Sequence, residues 1–317
     1  MTPIVVAAVL LAALTHASWN ALAHGIRDQL LAFTLVGGGG SLCGAVLACF
    51  APLPAAGAWP PLLVSALLHV VYQLLLMRSF QMGEFGQMYP IARGTAPLVV
   101  TVLAAVFVHE LPDAWQLAGV LLASAGLVGV ALWGLRRKKP AGHADAGATG
   151  AAGATEADTS AESAGADEGG RGGGTPQWPA LAAAVGTGLA IASYTVVDGI
   201  GVRASGTSLG YIAWLMLLEG LAIPLWALAR WRGTLVARLR PIALRGLLGG
   251  VLSVAAYGLV LWAQTRAPLA PVAALRESSI IAGAAIGALF FKERFGWPRT
   301  AASVLMVGGI ALMLHGT

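Results

Sequence analysis

Apolar runs of about twenty residues recur along the whole chain, each long enough to cross the hydrocarbon core of a bilayer as a helix. They fall near residues 3–23, 30–51, 60–81, 87–108, 114–134, 179–199, 208–229, 243–264, 269–290 and 298–315. The separators are short and carry Pro, Gly or charge: HGIRDQ, APLPAAGAWP, HELPDAW and FKERFGWPR. Backbone polar groups inside a bilayer must be satisfied by the segment itself or by a closed barrel. Runs of this length therefore predict an all-α integral membrane protein with ten transmembrane helices.

The charges agree with lipid as the main solvent. Only 10% of the chain is charged and 57% is hydrophobic, whereas soluble domains carry about 25% charged residues. Six of the 14 acids (Asp145, Glu156, Asp158, Glu162, Asp167 and Glu168) fall in one central segment, 136–178. That segment is built mainly from Ala, Gly, Ser, Thr and acids. It has no apolar content to bury, so it is expected to be a disordered hydrophilic linker. It separates a first half, 1–135, from a second, 179–317. The net charge of +5 is not a nucleic-acid footprint, because the basic residues cluster in short loops. Cys43 and Cys49 lie six apart in one apolar run, on different helix faces, and read as packing residues. The first run lacks a basic flank and is read as a span rather than a cleaved signal.

The two halves repeat each other. RGTAPLVV from Arg93 lies over RESSIIAG from Arg276, and without a gap Glu110 then matches Glu293 and Gly126 matches Gly309. With two residues of slippage Tyr72 matches Tyr257; THASWN lies over SYTVVD, pairing His16 with Tyr194 and Asn20 with Asp198. Five crossings per half leave the second half starting on the opposite side of the membrane. The expected architecture is thus two inverted-topology five-helix repeats, with a site at their interface and alternating access as its natural use.

Orientation follows from the loops. Those after helices 1, 3, 5, 7 and 9 hold most of the basic residues, including Arg136, Arg137, Lys138 and Lys139, while the even loops hold only Arg203 and Arg266. The positive-inside rule then puts the linker in the cytoplasm and both termini on the outer face.

Two arginines stand out. Arg93 and Arg276 lie within predicted spans at the same repeat position. An arginine at the bilayer centre costs at least about 2.5 kcal/mol, so each must face protein, water or ligand. Either each snorkels to the interface or pairs with an acid, Glu277 and Asp198 being the candidates, or two guanidinium forks converge on an anionic solute. Tyr89 shares the Arg93 face, and Pro90 and Pro97 predict a kink beside it. Further polar stripes comprise His16, Trp19 and Asn20; Ser65, His69, Tyr72 and Gln73; Tyr194 and Asp198; Ser253 and Tyr257; and Trp214 near Glu219. Singly each reads as helix–helix glue, but together they would line one cavity. The expected solute-binding set is Arg93, Arg276, Tyr89, His16, Trp19, Asn20, Tyr72, Gln73, Tyr194, Asp198, Tyr257 and Glu277. Asp198, Glu219, Glu277 and His16 are the groups available for proton coupling. Glu110 and Glu293, before Pro112 and Pro298, are expected to serve the dipoles of the helices that follow. The GGGG at 37–40 reads as close helix packing. There is no HExxH, GxSxG, Walker loop or CxxC, so neither an enzyme nor a cofactor or metal is expected.

The ten spans, the duplicated glutamate before helices 5 and 10, in HELPDAWQLAGVLLASAGLVGVAL and FKERFGWPRTAASVLMVGGIALML, and the HASWNAL start resemble the EamA branch of the drug/metabolite transporter superfamily. The resemblance implies an inner-membrane carrier, often an exporter of amino acids or other metabolites, with a central cavity between its halves. Such carriers usually keep both termini cytoplasmic, whereas the loop charges here argue the reverse. The expected function is a secondary carrier of a small organic metabolite bearing an anionic group. An efflux carrier for cationic or aromatic compounds, and a lipid-handling or non-transporting membrane protein, are the alternatives.

Overall fold

The computed structural model describes residues 1–24, 26, 28–82, 85–137, 178–282 and 297–315. Of the expected linker 136–178, Arg136, Arg137 and Trp178 are described and helical, while 138–177 lie outside these residues, as do Glu293 and the side chain of Tyr89. Among the described residues the chain forms helices and turns, with no strand. The helices of the first half are α1 (Pro3–His24), α2 (Gln29–Ala48), α3 (Trp59–Met82), α4 (Phe85–Leu103) and α5 (Ala114–Arg137). The second half comprises α6 (Trp178–Ala204), α7 (Ser208–Glu219), α8 (Ala222–Trp231), the short α9 (Leu235–Leu239), α10 (Ala243–Gln264), α11 (Leu269–Arg276) and α12 (Trp297–His315).

Helix starts follow side chains able to satisfy the free N–H groups of the first turn. Asp28 Oδ1 accepts from the N–H groups of Leu30 and Leu31 at 3.0 and 3.2 Å, and Thr207 Oγ1 accepts from Gly210 N at 3.0 Å. Asp113 Oδ1 accepts from Gln116 N at 2.8 Å and so caps α5. Large apolar side chains, among them Leu10, Leu11 and Leu14 on α1 and Leu63, Val64 and Leu67 on α3, point outward and are exposed. In water such a surface would associate; in a bilayer it is the solvated one. Five described helical stretches, Pro3–Asn20, Gln29–Ala48, Ala56–Arg78, Leu181–Ala204 and the joined run Ser208–Gln264, are long and apolar enough to cross a membrane.

Two expected spans are interrupted. The run 208–229 breaks at Gly220 and Leu221 between α7 and α8. Pro224 supplies no N–H to the Gly220 carbonyl, so the break falls where that backbone bond is missing in any case. The run 269–290 turns at Glu277 and Ser278, after which helical bonding resumes through residue 282. Glu277, Ser278 and Ser279 stand where polar side chains compete with backbone bonding. By contrast α4 continues through Pro90 and Pro97 as one helix.

Packing pairs run between the halves. Helix α3 lies on α6 as α1 lies on α10, α4 touches α6 as α11 touches α1, and α2 meets α10 as α7 meets α3. Small residues permit the closest approaches. A Cβ on Gly37 would stand 3.0 Å from the Gly220 carbonyl oxygen, and one on Gly39 would stand 3.3 Å from Gly250 Cα. The GGGG segment of α2 is thus wedged between the α7–α8 break and α10. Across the α5–α12 crossing, Gly119 faces Gly309 and Gly126 faces Ala302.

Candidate functional site

An open cavity of ≈ 700 Å³, mouth included, lies between the halves. Helix α1 gives it His16 and Trp19; α3 gives His69, Tyr72 and Gln73; α6 gives Tyr194; α7 gives Glu219; and α10 gives Ser253 and Tyr257. Phe33, Val36, Gly37 and Gly40 of α2, with Met216 and Gly220, complete the wall. A lining of rings with few polar groups is the usual make-up of a small-molecule site.

Its aromatic side is a stack built around Tyr194. The His69 ring lies over Tyr194 at 3.9 Å and 25°, while Tyr72 and Tyr257 meet Tyr194 edge-on at 5.6 and 6.1 Å. Edge-to-face and offset contacts of this kind fix ring orientation. His69 Nδ1 stands 3.0 Å from the Ser65 carbonyl oxygen and 3.2 Å from the Ser65 hydroxyl. Glu219 Oε2 stands 3.4 Å from the same nitrogen. On the facing helix, Trp19 Nε1 donates to His16 Nδ1 at 3.2 Å.

Behind the wall lies Asp198, fully buried. Tyr211 Oη donates to its Oδ1 at 2.9 Å, and Tyr257 Oη makes a short bond to its Oδ2. Neither arginine reaches it. Instead Arg93 Nε stands 2.7 Å from Glu277 Oε2, and Arg93 Nη2 donates to Ser279 Oγ at 3.1 Å. Arg276, adjacent to Glu277, keeps its Nε 3.8 Å from Oε1. All three charged side chains are almost completely buried.

The expected solute-binding set therefore divides. His16, Trp19, Tyr72, Gln73, Tyr194 and Tyr257 line the cavity. Asp198, Arg93, Arg276 and Glu277 form a buried layer that is not part of its lining. Asn20 donates to the His16 carbonyl of its own helix at 2.9 Å and does not line it either. His69 and Glu219, read from sequence only as a stripe member and a titratable acid, both contribute to the wall.

Glu110 departs from expectation. Asp113 caps α5, and Glu110 turns away from that helix. Its Oε1 accepts from Arg203 Nη1 at 2.6 Å, and its Oε2 accepts from Leu269 N, at the start of α11, at 2.8 Å. Arg203 further donates to the Gln264 and Ala267 carbonyls at 2.8 and 3.0 Å. One carboxylate thus fastens the ends of α4, α6 and α10 to the beginning of α11. Arg203 was legible only as a loop charge.

The family model of the EamA-like transporter family matches residues 3–132 and, a second time, 178–315. The chain belongs to the EamA-like transporter family. It is accordingly a multi-pass membrane protein and a transporter of the drug/metabolite type, in a family of transporters rather than enzymes. A solved structure described only as the crystal structure of a protein is similar over 98% of this chain and 94% of its own, with a TM-score of 0.64 at 16% identity. At that identity the likeness concerns the fold. A comparison with curated proteins gave no match.

Proposed function

We propose that this EamA-like transporter is a ten-span secondary carrier. Its halves, 1–135 and 179–317, are inverted-topology repeats joined by a cytoplasmic linker, 136–178, and alternate access to the central cavity across an inner membrane. The carried solute is a small organic metabolite with an anionic group. The observation that carries this reading is the α5–α12 crossing. The register that lays Arg93 on Arg276 also lays Gly119 on Ala302 and Gly126 on Gly309. Exchanging the halves thus turns the Gly119–Gly309 contact into the Ala302–Gly126 contact, which is also present. A crossing that maps onto itself in this way is what a two-fold relation between the halves requires. The anionic preference rests on Arg93, Arg276 and Glu277, whose charges leave one net positive charge beside the cavity. Counterflow of labelled organic acids and amino acids into proteoliposomes tests the reading. Saturable, trans-stimulated flux is expected; folded protein without such flux would sink it.

A second reading has its own observation. Glu219 places a carboxylate on an aromatic cavity wall, and rings beside a carboxylate suit an organic cation. If an aromatic quaternary ammonium such as ethidium is exported, overexpression should protect cells, and Glu219→Gln should abolish that protection.

A further inference from the structure

Arg93 and Arg276 hold the same repeat position and are buried alike, at 2% and 4% exposure, yet their surroundings are not alike. In a guanidinium, Nε and Nη2 form one edge, two parallel donors spaced to meet two oxygens of a carboxylate or phosphoryl group. On Arg93 that edge has Glu277 Oε2 as a charge partner 2.7 Å from Nε, out of line for a hydrogen bond, while Nη2 donates to Ser279 Oγ. On Arg276 the same two nitrogens are buried, and among the described residues neither has a hydrogen-bond acceptor.

The sequence explains the asymmetry. The register that carries Arg93 to Arg276 carries Gly94 to Glu277 and Ala96 to Ser279. Partners for Arg276 equivalent to those of Arg93 would have to come from positions 94 and 96, which offer a hydrogen and a methyl group. The duplication has kept both forks and filled only one. A buried charged donor edge without an acceptor is costly, roughly 1–3 kcal/mol or more, and the acceptor that fits it is a two-oxygen anion.

Arg276 ends α11, which packs against α1, α6 and α10, three of the helices that give the cavity its wall. We infer that Arg276, through Nε and Nη2, is the residue that binds the solute's oxyanion, while Arg93 is neutralised by Glu277 and positions it. The occupant is an organic monoanion, a carboxylate or phosphonate, whose body lies against Tyr72, Tyr194 and Tyr257. The inference rests on the anionic-solute reading above and narrows it to one arginine and one net charge.

Binding to detergent-purified full-length protein, followed by thermal shift and by calorimetry, tests it with benzoate and phenylphosphonate as probes and benzamide as their neutral counterpart. Either oxyanion should raise Tm, and benzamide should not. Arg276→Gln should weaken oxyanion binding by about a hundredfold and Arg276→Lys, which keeps the charge and loses the fork, by about tenfold. The double variant Arg93→Gln/Glu277→Gln removes the internal pair without changing net charge and, since that pair only positions Arg276, should weaken binding less than Arg276→Gln does. If the oxyanion binds Arg276→Gln normally and the double variant poorly, the assignment to Arg276 is wrong, although the anionic reading survives. If neither oxyanion binds wild-type protein, both fall. Should Arg276→Gln not purify as a single species, undiminished binding by Arg276→Lys overturns the assignment.

Discussion

Gly119 and Gly309 stand back to back where α5 crosses α12, so close that a Cβ on Gly119 would lie 2.5 Å from the Gly309 carbonyl oxygen, and one on Gly309 2.6 Å from that of Gly119. Close backbone approach of this kind gives membrane helices the packing contact that the hydrophobic effect does not supply between them in lipid.

Even a methyl group is therefore too large at either position. Gly119→Ala or Gly309→Ala should lower stability by about 1–3 kcal/mol, the usual cost of overpacking, and a valine should prevent folding. Gly57→Ala is the control, since nothing lies within 4 Å of a Cβ there. Thermal unfolding in detergent measures all of these; an unchanged Tm for both alanine variants would contradict the crossing geometry.

The Glu110–Arg203 contact is partly exposed, with side chains 24% and 31% accessible, so its ionic component is worth about 1 kcal/mol or less. Its hydrogen bonds are the specific part. Reversing the pair as Glu110→Arg/Arg203→Glu should fail to restore the stability lost in the single variants. A glutamate at 203 cannot donate to the Gln264 and Ala267 carbonyls, and an arginine at 110 cannot accept from Leu269 N. Full rescue in a double-mutant cycle would show that charge alone matters.

Asp198 takes one tyrosine hydroxyl on each oxygen. Tyr211→Phe and Tyr257→Phe should each destabilise the protein by about 1–3 kcal/mol, because each strips a donor from a buried carboxylate. Only Tyr257 lines the cavity. Its variant should also raise the KM of any solute carried in proteoliposomes, whereas Tyr211→Phe should leave KM in place. Equal KM effects would mean that Tyr257 acts solely through Asp198.

Orientation is testable on the wild-type cysteines. Cys49 follows the end of α2 and is exposed; the loop charges place this end outside. In a Cys43→Ser background, a membrane-impermeant maleimide should label Cys49 in intact cells. Labelling that appears only after the cells are opened would reverse the assigned sidedness.

Hydropathy made the helical membrane architecture legible, because a span of lipid length has few other solutions. It could not show that 208–229 breaks. The single glycine at 220 and Pro224 look tolerable one by one, and only the approach of Gly37 shows how tightly that break is packed. The polar stripes marked most of the cavity wall, since a polar side chain in a lipid span must face inward. They did not separate lining residues from the layer behind, because periodicity gives a face and not a depth. Asp198 and Tyr194 share one stripe, yet Tyr194 meets the cavity and Asp198 is covered by the tyrosines bound to it. For Glu110 the reading failed for a different reason: its partners Arg203 and Leu269 lie far along the chain, where no local pattern points.

That failure leads back to the five residues Ala104–Val108, where α4 widens into a π-helical turn before His109 takes a left-handed conformation with φ 59. A π turn spends one more residue per turn than the α-helix leading into it. Winding 104–108 as α-helix without removing a residue would advance everything beyond it by about 100°. Glu110 would then swing off the start of α11 with its sequence unchanged. The widened turn is an angular shim: it sets the bearing of the one carboxylate on which four helix ends converge.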